Sequence, residues 1–486
     1  MPSPFPFFTY RITPDVPPSY YEKLCDFIYT QYLIPQNHQF IGITRESTIK
    51  GEKLTYTITD QQGSLLYVEI KSGTPFELRI TPLKASVPKT TVEEAKQDIL
   101  IAMQVFSQNA RSGAVCFAWR EGEKIVPEAY TKPEKSFNRL FLETQVLFFV
   151  VFIVFGMFIF ITIATVVPSA FWIAPLILIA IQFIFVFYSN KFITRNAEWH
   201  ITEANPTIHI LEYYLPVNEM GDFKKIYPRE TLLAIKKEIY AEIIAKQGEV
   251  DAEIAQKIFL KHGVPCEVQN LKTKKINVYN LVKNIADRFH FPMPKVVVSN
   301  TLVPNAAASG PSPKRGLVLI TTGILAQLNN DELLGVLGHE FGHLRGRDPL
   351  ILYGLVSTEF LFRFYVLFPL FPIIFSSLLF FVYFWAIMVL IFFIAKFFEA
   401  RADLISAMVV GNPHVLAESL EKIGFQRLLY ERAPSYRIQE WLGLDPHPPI
   451  YFRVNRLESL QPGTIRYPLI QSIKDVTRGF IATLKN

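Results

Sequence analysis

Two histidines, His339 and His343, stand four positions apart in the string His339-Glu340-Phe341-Gly342-His343. On a helix that spacing puts both imidazoles on one face, a turn apart, close enough to bind a single tetrahedral Zn²⁺. Glu340 falls on the neighbouring flank, where its carboxylate can take the proton of a water activated by the metal as that water attacks a peptide carbonyl. The segment is expected to be helical. Asp331 and Glu332 begin it and Arg345 and Arg347 end it, as the helix dipole favours, and Leu333, Leu334, Val336 and Leu337 supply a buried side. A catalytic zinc needs a third protein ligand and keeps its fourth position for water. Six residues beyond His343, where a third histidine would serve, the chain has Pro349. The best remaining candidates are Glu399 and Asp403, an acidic pair at i and i+4 on one helix face.

The elements that must hold these groups belong to a membrane chain. Hydrophobic residues make up 50% of the 486 and charged residues only 19%, with 42 Phe, and the apolar residues fall into two blocks. Residues 144–190 carry no charge and suit two spans of about 20 residues each, with Val167-Pro168-Ser169 as the turn. Lys132, Lys135 and Arg139 precede this pair and Lys191 and Arg195 follow it, so both ends are expected in the cytoplasm. Residues 364–395 are also uncharged, too long for one ordinary span. They are read as two spans, the first beginning near Ile351, with Pro369 and Pro372 at the turn. Glu359 and Arg363 then share a face of the first span, and Lys396 marks the exit of the second, about 4.5 Å along the axis before Glu399.

Outside the spans the chain reads as α+β. Residues 1–138 form a soluble accessory domain with a helix at 19–33, alternating runs at 39–44, 53–59, 65–70 and 77–81, and a helix at 91–107. Gln61-Gln62-Gly63-Ser64 joins the middle pair of runs, and no catalytic constellation appears there. The first hairpin occupies 139–190. A helical connecting region, 191–275, follows, with periodic runs at 227–246 and 251–262. The first catalytic part, 276–350, has a helix at 277–289, short strands at 295–299, 305–309 and 317–321, and the histidine helix. After the second hairpin, 351–395, the second catalytic part at 396–486 is largely helical, with Asn412-Pro413 as cap and first helical residue.

His339-Glu340-Phe341-Gly342-His343, two membrane segments, and then Glu399-Ala400-Arg401-Ala402-Asp403 resemble the HtpX-like zinc metalloproteases, relatives of the CAAX prenyl protease family. The resemblance covers about 277–460 and the upstream hairpin. It includes Pro304-Asn305-Ala306-Ala307-Ala308, similar to the family's Asn-Ala segment beside the cleft, Asp348 shortly after the second histidine, and His447-Pro448-Pro449 followed by Arg453. It implies four transmembrane helices and a mainly helical, zincin-like catalytic domain carrying a small β-sheet. It further implies that His339, His343 and Glu399 bind one Zn²⁺ per chain and that Glu340 is the general base. Asp403 and Asp348 become partners that orient the ligands, His447 a donor to the oxyanion, and Asn305, Ala306, Ala307 and Arg453 substrate-binding residues. Ala307 stands where an aromatic is common, and residues 1–138 have no counterpart in the pattern.

The net charge of +6 comes without a long run of Lys or Arg, so nucleic acid is not an expected partner. Cys25, Cys116 and Cys266 lie far apart and read as free thiols of a reducing compartment. No basic stretch followed by an apolar core opens the chain, so no cleaved signal peptide is expected. The partners expected are the lipid bilayer and polypeptide substrates, by the resemblance damaged or misfolded membrane proteins. Localisation follows as a multi-pass cell-membrane protein with its catalytic domain and both termini in the cytoplasm. Two other readings are a CAAX-type prenyl-protein protease and a non-catalytic membrane scaffold or chaperone with a vestigial zinc site. The former branch typically has more spans than four, and an intact Glu340 argues against the latter. Burial of the motif within the bilayer is disfavoured by Asp331, Glu332, Arg345, Arg347 and Asp348 beside it.

Overall fold

A computed structural model of the chain describes residues 6–36, 38–48, 51–60, 63–122, 156, 158–163, 165–196, 198–215, 217–375, 378–461, 463 and 465–485. It is a mixed helix and sheet fold with two compact units, one made of Met1–Trp119 and His209–Lys275, the other of Arg120–Ile208 and Ile276–Asn486.

The first unit is built on a five-stranded antiparallel sheet in the order β1-β5-β4-β3-β2. Its strands are β1 (Phe8–Ile12), β2 (Phe40–Thr48), β3 (Gly51–Asp60), β4 (Gly63–Lys71) and β5 (Phe76–Pro82). Alternation sends Leu66, Val68 and Ile70 of β4 and Phe76, Leu78 and Ile80 of β5 to one face. The helix Lys89–Ser112 closes that face with Val92, Ile99 and Met103. Of the proposed turn at 61–64, Gln61 and Gln62 lie outside the described residues, while β1 was not anticipated.

A second, three-stranded sheet has the order β6-β8-β9, from Ala114–Arg120, Thr207–Tyr214 and Leu271–Asn277. The stretch 191–275, expected to be helical, therefore also contributes strands, including β7 (Trp199–Ile201), alongside helices Arg229–Glu242 and Ala252–Lys261. A buried charge cluster ties this part together. Arg111 Nε lies 3.1 Å from Glu212 Oε1, and Asp15 receives both Arg111 and Lys272. Burial pushes the Asp15 carboxyl up, but the two cations outweigh it and hold the group below the usual carboxylate range.

In the second unit a four-stranded sheet runs β11-β12-β10-β7, with β10 (Lys295–Ser299) and β12 (Leu317–Thr321) parallel. β11 (Ala306–Ser309) is antiparallel to β12 and forms one edge. The motif helix, Asn330–Gly346, starts at a capping box in which Asn329 and Glu332 satisfy each other's backbone N–H groups.

Two helices in this unit, Asp348–Leu370 and Leu379–Val410, are long and apolar enough to cross a membrane. The first winds as a π-helix over Arg363–Leu367. Pro369 can give no N–H to a carbonyl one turn back, and the wider winding accommodates its ring. The chain breaks at Phe371, between the two prolines read as the turn. Glu359 and Arg363 pair at 2.9 Å and Tyr383 donates to Glu359 at 2.9 Å, so this charge pair is satisfied from both helices. Of the upstream hairpin, Val167-Pro168-Ser169 leads into a 3₁₀ turn at Pro168–Ala170 and the helix Ala174–Asn196 follows. Its other arm falls largely outside the described residues.

The motif helix packs directly on the long helix Leu379–Val410, and glycine makes this possible. A Cβ at Gly342 would lie 3.0 Å from Ala402 Cα, and one at Gly338 2.7 Å from Ser406 Oγ. Gly342→Val is therefore expected to cost about 1–3 kcal/mol of stability through overpacking and to weaken metal retention by separating the two helices. Gly354→Ala, where an added methyl meets nothing, should do neither. Chemical denaturation and zinc competition on the two variants test this.

Candidate metal centre

The i, i+4 spacing on the motif helix brings His339 Nε2 and His343 Nε2 to 3.1 Å of each other. Glu399, on the long helix, lies opposite them: its Oε2 is 3.3 Å from His339 Nε2 and its Oε1 3.4 Å from His343 Nε2. One ligand atom from each of the three residues falls within 4.8 Å of the others. All three are poised for a single ion. Glu399 Oε2 is buried yet accepts no hydrogen bond among the described residues, which suits a carboxylate oxygen meant for a cation. Two imidazoles and a carboxylate are a donor set that zinc takes.

Each histidine is braced on its far side. His343 Nδ1 is 2.8 Å from Asp348 Oδ2, and Asp348 is in turn held by Arg401. His339 Nδ1 is 2.8 Å from Asp403 Oδ1, and Asp403 accepts two hydrogen bonds from Arg453, at 2.9 and 2.7 Å. A carboxylate on Nδ1 fixes the ring and leaves Nε2 to face the centre. Burial disfavours the imidazolium of His339, but Asp403 and Glu399 outweigh it and raise the pKa. His343 is buried too, and Glu399 and Asp348 hold it well above the ordinary histidine value. Surroundings that favour a proton on these rings favour a divalent cation between them.

Glu340 points to the edge strand, where its Oε2 accepts the Ala308 N–H at 2.8 Å. That bond fixes the sense of β11. Ala308 faces outward, and strand alternation puts Ala306 on the same side. Asn305 and Thr321 bond backbone to backbone, so Asn305 and Ala307 turn their main-chain groups to β12. Ala307, expected among the substrate contacts, is thus engaged within the sheet.

His447 reaches the centre from a loop. Its Nε2 lies 3.5 Å from Glu399 Oε2, while its N–H and Nδ1 meet Asp445 Oδ1 at 2.7 and 2.8 Å. Arg427 contacts the other oxygen of Asp445 at 3.2 Å. Arg453, expected on the substrate side, is buried and committed to Asp403; it is a positioning residue. Lys396, read as the residue at which the second span ends, is fully buried and donates to the Asp445 carbonyl, fastening the His447 loop to the long helix.

Lys396, Arg401, Asp445 and Arg427 were not anticipated in these roles. The one local signal was Arg401, which sits between Glu399 and Asp403 on an otherwise small-residue turn.

The model for peptidase family M48 matches residues 272–461. A protease HtpX homolog of Sulfurihydrogenibium sp. is 32% identical over 230 residues, covering 38% of this chain and 76% of the relative. The chain belongs to peptidase family M48. A second HtpX homolog, of Caldanaerobacter subterraneus subsp. tengcongensis, is 31% identical over 219 residues and 71% of its own length. With the HtpX homolog of Thermodesulfovibrio yellowstonii the identity is 49%, over a 74-residue stretch that makes up 26% of that relative. Among solved structures, S. mikatae Ste24p gives a TM-score of 0.28 at 16% identity, covering 50% of this chain and 64% of that one.

Proposed function

We propose that the chain is a membrane-bound zinc endopeptidase that cleaves damaged or misfolded membrane proteins near the cytoplasmic face. The observation that carries this reading is the convergence of His339, His343 and Glu399 on one point, with Glu340 beside them on the same helix as the histidines. Zinc held by those three would act as a Lewis acid on the scissile carbonyl and lower the pKa of water. The remaining steps belong to the chain. Glu340 takes the proton of the attacking water and passes it to the leaving amine. His447, oriented by Asp445, donates from Nε2 to the oxygen that gains charge. Asp348 and Asp403 keep the ligand rings fixed.

The reading includes four spans in two hairpins with both termini in the cytoplasm, supported by the flanking cations described above and, for the second hairpin, by the two long apolar helices. The large exposed apolar side chains on these helices, among them Phe381, Val382, Trp385 and Phe362, suit lipid contact. The deciding experiment uses the full chain in detergent or nanodiscs. One zinc per chain is expected, with cleavage of an unfolded polypeptide that a chelator abolishes and added zinc restores. Metal-independent cleavage, or a pure chain with neither zinc nor activity, would refute the proposal.

An extended substrate is expected to add alongside β11 through its outward main-chain groups, which makes recognition broad. Ala306→Pro removes one such donor and should raise KM about 3–10-fold, the value of a single backbone hydrogen bond. Ala307→Pro should instead lower stability, since that residue bonds to β12. Unaltered peptide kinetics in Ala306→Pro would exclude strand addition on this edge.

A further inference from the structure

The helix Pro468–Lys485 buries one side, through Ser472, Val476 and Thr483, against the second unit. A different side is apolar and uncovered. Ile470, Ile473, Ile481 and Leu484 are 53%, 40%, 45% and 54% exposed. With Thr477 they fall within an arc of about 80° at 3.6 residues per turn. Lys474, Arg478 and Lys485 line one border of this stripe, whereas Asp475, farther round, is paired with Arg456 at 2.8 Å.

The place of this stripe in the fold says what covers it. Val476 clusters with Ala400 of the long helix, while Phe480 packs on Phe393 at 5.3 Å. The C-terminal helix thus runs antiparallel to the long helix, passing from the ligand-bearing turn towards the apolar stretch. Its last turn, with Ile481 and Leu484, comes level with the long-helix turn that exposes Leu390. The C-terminal end of the stripe therefore lies level with the apolar stretch of the helix read as membrane-spanning, and Lys474, Arg478 and Lys485 border it. An apolar end with Lys and Arg beside it and one to two turns before it suits a helix whose C-terminal turns dip into the headgroup layer.

We propose that the C-terminal end of Pro468–Lys485 is an interfacial membrane element, its Ile481 and Leu484 seated in the acyl boundary of an anionic bilayer and Lys474, Arg478 and Lys485 reaching the headgroups. This rests on the membrane reading above. Because the same helix packs on Ala400, one residue from Glu399, the lipid surface then sets the depth at which the metal centre rides.

The test uses full-length chains with the native cysteines replaced by serine and one fluorescent cysteine label at position 481, 471 or 382. They are placed in nanodiscs of phosphatidylcholine and phosphatidylglycerol with or without bromine on the acyl chains. Position 382 reports the apolar stretch of the long helix, and position 471 the polar side of the C-terminal helix. Brominated lipid is expected to quench 481 nearly as strongly as 382 and to leave 471 little changed. Quenching at 481 no greater than at 471, while 382 is quenched, overturns the proposal but not the membrane reading. So does a label at 481 shielded from both brominated lipid and aqueous iodide, which would mean that a protein covers the stripe. An unquenched 382 overturns the membrane reading and the proposal together.

Discussion

Glu340→Gln is expected to lower turnover about 10²–10⁴-fold, the span associated with loss of a general base, while zinc content and fold stay as in the wild type. Glutamine keeps an oxygen for the Ala308 N–H, so the local geometry at β11 survives. What it loses is the capacity to accept a proton. His339→Ala and Glu399→Ala should behave differently, because each removes one of the three groups that converge on the ion. Their zinc content should fall together with activity. Metal analysis beside cleavage assays on the three variants separates these roles, and equal zinc loss in all of them would show that Glu340 is itself a ligand.

The second large effect is expected at Asp403. Asp403→Ala takes the carboxylate from His339 Nδ1 and at once leaves the buried Arg453 without its partner. Breaking a buried ion pair from one side costs about 3–5 kcal/mol, and removing the support of a ligand ring weakens metal binding about 10–100-fold. The two losses can be pulled apart. Combining Asp403→Ala with Arg453→Met removes the stranded cation and should restore much of the stability without restoring zinc affinity. Denaturation curves and zinc competition on the single and double variants measure both. Wild-type zinc affinity in Asp403→Ala would mean that His339 is held by the packing of its own helix alone.

Those features that were legible in the sequence are the ones set by local spacing. The histidine pair needs only a helix, and β10 and β12 are short runs with clear ends, found where expected at Lys295–Ser299 and Leu317–Thr321. β8 was missed because all eight of its residues are buried. A strand covered on both faces has no alternation to read. The partners of Arg453 and Lys396 were not legible for another reason. Each is a cation whose partner lies far along the chain, Asp403 in one case and the Asp445 carbonyl in the other. Position in sequence gives no measure of such distances, so a buried anchoring role and a surface role look alike. Of the residues around the centre, Lys396, Arg427 and Asp445 are legible only in three dimensions.

The long helix has 32 residues, from Leu379 to Val410, and contains neither proline nor glycine. It measures about 48 Å end to end, against about 30 Å for the hydrocarbon layer of a bilayer. With no hinge, it answers a thinner membrane by tilting as a whole rather than by bending. Glu399 and Asp403 ride on the same rod. A tilt therefore moves one metal ligand and one ring support against two histidines seated on a different helix. The close contacts at Gly338 and Gly342 are where the two helices meet, so they would take up such a tilt. On the proposed membrane reading, acyl-chain length would thereby act on the metal site through the tilt of this one helix.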